Sequence, residues 1–221
     1  YLFALPDGNH GAVSMLGYEL ELLRLDSLSR IFATIFLIAS LLGNIYAWHE
    51  PDRVQRTAAQ IYAGSAVAAA LCGDLISLFV FWELTAVSSV FLIWASGTES
   101  AYRAGMRYLI IQVGSGVILL AGLIVHVTAT GSIAFEHFGL DAPGAWLILL
   151  AFGIKCAFPL LHNWLQDAYS EATVTGTVVL SAFTTKLAVY TLARGFAGTE
   201  MLIWIGAAMT MFPIFYAVIE N

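Results

Sequence analysis

Seven apolar runs in this chain are each long enough to cross a bilayer, at about residues 27–48, 54–72, 74–95, 105–129, 145–165, 173–195 and 201–219. A hydrocarbon core about 30 Å thick takes about 20 apolar residues per helix, and within it every backbone polar group must bond inside its own segment. A transmembrane β-barrel would show segments about half as long with strict two-residue alternation, and these runs do not alternate. They predict an all-α integral membrane protein of about seven transmembrane helices. Composition agrees: 60% of residues are hydrophobic, 11% are charged, and the mean hydropathy is +0.83, whereas a soluble domain carries roughly 25% charged residues. Within the long block "LCGDL" at 71–75, Gly73 and Asp74 supply a turn and a helix N-cap that separate two spans.

Residues 1–25 mix glycine, asparagine and acids with short apolar pieces, and read as an exposed N-terminal segment ahead of a transmembrane domain over 26–221. The chain opens at Tyr1 and stops at "VIEN" directly after an apolar run, the pattern of a piece of a longer protein. Its net charge of −6 carries no basic stripe, which sets nucleic acid aside as a partner. Cys72 and Cys156 lie in apolar runs without CxxC or His/Cys spacing, so no metal or redox site is expected. No nucleophile, metal cluster or cofactor motif marks a catalytic site. Arg53, Arg56, Arg103 and Arg107 fall between runs or at their starts on one side, which the positive-inside rule assigns to the cytoplasm, while Arg24, Arg30 and Arg194 fall on the other. Trp48, Trp94, Trp146 and Trp164 stand at run ends, where an aromatic belt belongs.

Three charges break this pattern. All seven arginines lie in the N-terminal segment or near helix ends, yet the two lysines, Lys155 and Lys186, lie inside spans, and Glu83 is the one carboxylate well within a run. Glu83 has about nine residues to either end of its run, or about 13 Å at 1.5 Å per residue, which places it near the midplane. A charge at that depth costs about 2.5–3.5 kcal/mol on insertion scales, so the three must face one another or water. Burial disfavours an ammonium and a neighbouring carboxylate restores it. Two lysines sharing one glutamate leave two readings, a proton relay among the three groups or a fixed bridge from Glu83 to one lysine. Pro159 removes a backbone hydrogen bond and its ring would meet the carbonyl of Lys155, which predicts a broken helix beside the lysine; such breaks in transporters line ion sites. His162, seven residues after Lys155, and His126, late in the fourth run, are further candidates for the proton path. Thr175, Thr177, Ser181, Thr184 and Thr185 give the sixth run a hydroxyl-rich side near Lys186.

The stretches "GDLISLFVFWELTAVSSVFLIW", "FGIKCAFPLLHNWLQDAYSEATVTGTVVLSAFTTKLAVYTLAR" and "MTMFPIFYAVIEN" closely resemble the proton-conducting antiporter family, shared by Mrp-type Na+/H+ antiporters and the antiporter-like subunits of respiratory complex I. The fit is best to the D-type subunit of the Mrp antiporters. This resemblance implies a parent fold of roughly fourteen helices built from inverted repeats, of which this segment holds the third to the ninth. It also implies that the family's glutamate on the fifth helix is Glu83, its lysine on the broken seventh is Lys155, and its lysine on the eighth is Lys186. The family's "LPDAYPEA" reads "LQDAYSEA" here, with Gln166 and Ser170 in place of two prolines. The expected function is that of a proton-translocating subunit of a multi-subunit Na+/H+ antiporter, in a bacterial inner membrane, with other subunits, lipid, protons and Na+ as partners and no cofactor. The alternative is an antiporter-like subunit of an NADH:quinone oxidoreductase or membrane hydrogenase.

Overall fold

The computed structural model describes residues 2–15 and 17–219; Tyr1, Leu16, Glu220 and Asn221, which belong to the two segments assigned above, lie outside the described residues. Eight helices follow a β-hairpin: α1 (Ser27–Tyr46), α2 (Arg53–Leu71), α3 (Leu75–Trp94), α4 (Glu99–Thr130), α5 (Ala145–Lys155), α6 (Asn163–Tyr169), α7 (Val174–Gly195) and α8 (Glu200–Ile219). They account for the seven apolar runs, because the fifth run divides into α5 and α6 around Pro159. Among the described residues four helices, α1, α3, α4 and α7, are long and apolar enough to cross a membrane individually.

Side-chain caps set the helix starts. Asp26, Asp52, Asp74, Thr98 and Thr173 each accept a backbone N–H of the first turn of α1, α2, α3, α4 and α7, satisfying donors that a helix start leaves without a partner. Helix α4 begins six residues before its apolar run. At 32 residues it is about 48 Å long, more than the hydrocarbon core, so its first turns stand in the polar zone. There Arg103 pairs with Glu99 at 3.0 Å, and Arg107 grips Asp167 on α6 through two bonds of 2.7 Å. That grip holds the Asp167 carboxyl below the usual carboxylate range.

Residues 8–25, which the sequence marks only as an exposed segment, form an antiparallel hairpin of β1 (Gly8–Met15) and β2 (Tyr18–Leu25). Gly17 supplies the left-handed turn at φ +82°. In "YELELLRL" Leu20 and Leu25 are buried against the helices. The hairpin is fastened to the bundle. Gly73 N–H donates to Glu21 O at 2.7 Å, Glu21 N–H donates to Asp74 Oδ2 at 2.8 Å, and Phe135 N–H donates to Gly73 O at 2.8 Å. Arg24 reaches the carbonyls of Gly73 and Phe135. Arg194, from the last turn of α7, makes two bonds of 2.8 and 2.9 Å to Asp26 and a third to Tyr190 Oη. Burial raises the Asp26 carboxyl, but the bonds from Ser29 and Arg194 overcome this and leave it below its ordinary range. The hairpin, the Gly73–Asp74 turn and the 131–144 loop thus close one end of the bundle, here the hairpin end; Arg53, Arg56, Arg103, Arg107 and α6 lie at the other.

Candidate functional site

The broken fifth span frames the site. Helix α5 stops at Lys155, and the chain turns through 156–162 before α6 resumes. Pro159 can donate no hydrogen bond and disfavours helical backbone in the residue before it. Ala157 and Leu160 take left-handed backbone at φ 62° and 70°. The orphaned end of α5 is closed locally: Cys156, Ala157 and Phe158 N–H donate to Phe152, Ile154 and Gly153 carbonyls at 2.8, 3.1 and 3.0 Å. Trp164 Nε1 donates to Ile154 O at 3.0 Å, tying α6 back across the break.

Lys155, the last residue of α5, is fully enclosed. Its Nζ donates to Trp82 O at 2.7 Å and to Thr85 Oγ1 at 3.0 Å on α3, and lies 4.2 Å from the centroid of the Trp82 ring. A carbonyl, a hydroxyl and an aromatic face are neutral groups that stabilise an ammonium. Glu83, the residue after Trp82, is half-buried, and its Oε1 is enclosed without a hydrogen-bond partner among the described residues. It makes no ion pair with Lys155 among the described contacts, although the two charges are close enough to act on each other. Gly116 on α4 lies against the Glu83 carboxylate, where any Cβ would overlap Oε1. The absence of a side chain at 116 leaves the space the carboxylate fills.

Around this pair α3, α4 and α5 are cross-linked. Trp82 Nε1 donates to Ser115 Oγ at 3.2 Å, Ser115 Oγ donates to Ala151 O at 3.1 Å, and Ser89 Oγ bonds Tyr108 Oη at 2.7 Å. Gln112, one turn from Ser115, is wholly buried with neither amide atom bonded to any described residue. Charge and depth alone do not single out Trp82, Thr85, Ser115 or Gln112. Only Gln112 carries a signal in the sequence, as a carboxamide in the middle of a membrane helix.

The other candidates are placed differently. Lys186 on α7 is exposed, and its Nζ donates to Ser181 O at 2.7 Å on its own helix; its charge reaches the Cys156 thiol, next to Lys155 in the break. His162 stands at the end of the break, directly before α6. His126 is buried at the hairpin end of α4, with Nδ1 3.1 Å from Pro143 O and its ring against Phe138. At 1.5 Å per residue it is about 21 Å along α4 from Gln112, outside the Lys155 cluster. Of the hydroxyls on α7, Thr184 bonds the Tyr62 hydroxyl and Thr175 bonds Gln55 and Glu50, so these tie α7 to α2 and its preceding loop; Ser181 and Thr177 bond backbone carbonyls. Asp74 is an N-cap, with Oδ1 accepting Ser77 N–H at 2.7 Å.

Residues 72–219 match the family described as NADH:quinone oxidoreductase/Mrp antiporter, transmembrane, and the chain belongs to that family. It is 28% identical over 207 residues to the M subunit of the NADH-quinone oxidoreductase of Pseudomonas aeruginosa, covering 82% of this chain and 40% of that protein. It is also 28% identical over 160 residues to the D subunit of the Na(+)/H(+) antiporter of Alkalihalophilus pseudofirmus, covering 64% of this chain and 32% of that one. Its backbone superposes on a chain of the Mrp complex from Dietzia sp. DQ12-45-1b with a TM-score of 0.73 at 24% identity, covering 84% of this chain and 38% of the other, a likeness of fold. The chain thus spans less than half the length of the relatives it matches.

Proposed function

We propose that this chain is the proton-carrying segment of a subunit in a multi-subunit Na+/H+ antiporter, and that protons pass through Glu83, Lys155 and Lys186. The observation that carries this reading is the enclosure of Lys155 at a helix break inside the membrane, bonded only to neutral groups, with Glu83 nearby but not paired to it. A fixed bridge would hold the two charges in contact. Separated, the ammonium can lose its proton without first breaking an ion pair, and the break supplies backbone groups that water can reach. Lys186, exposed on α7 beside the break, is on this reading where the proton passes to the rest of the parent fold. His162 lies on the approach from the α6 end. His126, joined to Pro143 at the far end of α4, has at most a separate place on an exit route.

The test is collapse of a pH gradient in inverted vesicles containing the complete complex, at matched expression. Glu83→Ala and Lys186→Met abolish the response, and Lys155→Arg does so as well, because a guanidinium keeps its charge throughout the cycle. Full activity of Lys155→Arg would show that a fixed positive charge suffices, and would end the relay.

A second reading, an antiporter-like subunit of an NADH:quinone oxidoreductase or membrane hydrogenase, is favoured by the name of the Pseudomonas relative and uses the same three residues. Purification of the full-length protein from its native membrane separates the two: small companion antiporter subunits support the first, flavin and iron–sulfur proteins the second.

A further inference from the structure

Gln112 is the one fully enclosed carboxamide among the described residues with both polar atoms unbonded. A buried amide left without partners is costly, and native structures satisfy such groups with protein or ordered water. Its neighbours follow from helix register. Helices α3 and α4 run antiparallel, with Trp82 joined to Ser115 and Ser89 to Tyr108; between these two rungs, three residues along each helix, Thr85 stands opposite Gln112. Helices α4 and α5 are also antiparallel. Ser115 meets Ala151, and Tyr108 packs on Trp164 beyond the break at a ring distance of 5.5 Å, so Lys155 lies at the level of Gln112. Thr85 is a residue that Lys155 Nζ bonds. An ammonium has three N–H donors, and Trp82 O and Thr85 Oγ1 take two of them.

We propose that Gln112 is a positioning residue that holds a water molecule against the third N–H of Lys155. The proposal rests on the reading of Lys155 as a proton carrier. The Gln112 amide gains and loses no proton; its Oε1 accepts one hydrogen of the water while the water oxygen accepts from Nζ. When the proton moves, the Nζ–H bond breaks and an O–H bond forms, leaving a neutral amine, and the water releases one of its own protons to the next acceptor. Glu83, which follows Trp82 on α3 and whose Oε1 is likewise enclosed and unbonded among the described residues, is the group that receives it on this proposal. Lys186, the Cys156 thiol and His162 at the end of the break are the other titratable groups close by among the described residues, and on α4 the Tyr108 hydroxyl is held by Ser89.

The test uses the full-length protein in its assembled complex, with pH-gradient collapse as one readout and infrared difference spectra in ordinary and oxygen-18 water as the other. Wild type shows an isotope-sensitive band from a strongly hydrogen-bonded water, and Lys155→Met removes it. Gln112→Met, of similar volume but without the amide, lowers transport about tenfold and loses the band, while Gln112→Asn, which keeps the amide, recovers at least about half of the transport and retains the band. A packing role would make Met as good as or better than Asn. Wild-type transport with an unchanged band in Gln112→Met overturns the proposal alone, provided Lys155→Met is inactive. Active Lys155→Met would instead remove the relay reading. A wild-type spectrum with no isotope-sensitive band that depends on Lys155 overturns the proposal without any Gln112 variant.

Discussion

Lys155 and Lys186 lie on helices that pack together, yet their surroundings have little in common. Lys155 is sealed between α3 and α5, with a carbonyl, a hydroxyl and an indole face gathered round it. Lys186 is exposed and, among the described residues, bonds only a carbonyl of its own helix, five residues back. The first site is finished by residues of this chain. The second is open, and an exposed ammonium on a membrane helix costs about 2.5–3.5 kcal/mol unless another surface covers it. The contrast teaches that two like charges in one sequence can belong to two kinds of place: a site built inside a bundle and a contact offered at its edge.

Truncating the two lysines tests this contrast most severely. Lys155→Ala and Lys186→Ala are both expected to lower proton transport at least about 100-fold, the range lost with a proton-transfer group. Their stabilities should differ. Lys155→Ala leaves a cavity at a packed site and costs about 2–5 kcal/mol, whereas Lys186→Ala stays within about 0.5 kcal/mol, as thermal unfolding of the purified protein would show. Equal destabilisation would mean that Lys186 is as enclosed as Lys155. Next in size is Arg194→Met at the hairpin end, which removes the paired bonds to Asp26 and should cost about 1.5–3 kcal/mol with little change in transport. A large transport defect there would join the hairpin end to the proton path.

Gly116→Ala is a finer probe. Its Cβ would overlap Glu83 Oε1, so the carboxylate must move, at about 1–3 kcal/mol; transport should fall although no polar group is lost. Unchanged transport would show that the position of the Glu83 carboxylate is not critical. The smallest effect is expected at Arg107→Ala. Its partner Asp167 is largely solvated, so the pair contributes little to stability. Because Asp167 is held below its ordinary range, that contribution is present above an ordinary aspartate value of about 3.9 and disappears as pH falls through the lower folded value. Unfolding midpoints of wild type and Arg107→Ala should therefore converge in acid.

Much of this is legible in the sequence because membrane burial makes strong demands. Each apolar run forms helix, the cap at Asp74 falls where the Gly-Asp pair puts it, and the helix breaks at Pro159. The hairpin is not legible. Its eight-residue strands are short, and the bonds that hold them come from Gly73, Asp74 and Phe135, at least 49 positions away from the residues they bind. The depth of Lys155 is readable from residue counting, but its partners are not, since a backbone carbonyl such as that of Trp82 carries no sequence mark. Nor is the exposure of Lys186, because counting residues gives depth along a helix and no information about its facing direction. Of the two prolines replaced in "LQDAYSEA", the one at Ser170 has a structural counterpart, since the Ser170 hydroxyl donates to Gln166 O at 2.8 Å and bonds the end of α6; nothing in the structure explains Gln166.

The knot of bonds among the hairpin, Gly73–Asp74, Phe135 and Arg194 has a mechanical consequence. It clamps the ends of α1, α3 and α7 together at one side of the membrane, while at the other side exposed pairs such as Arg107–Asp167 and the short helix α6 span the gap. A bundle clamped at one end behaves as a wedge. Any opening that leaves these bonds intact has to come at the α6 end, where the Gln55–Thr175 and Arg107–Asp167 bonds must give way first.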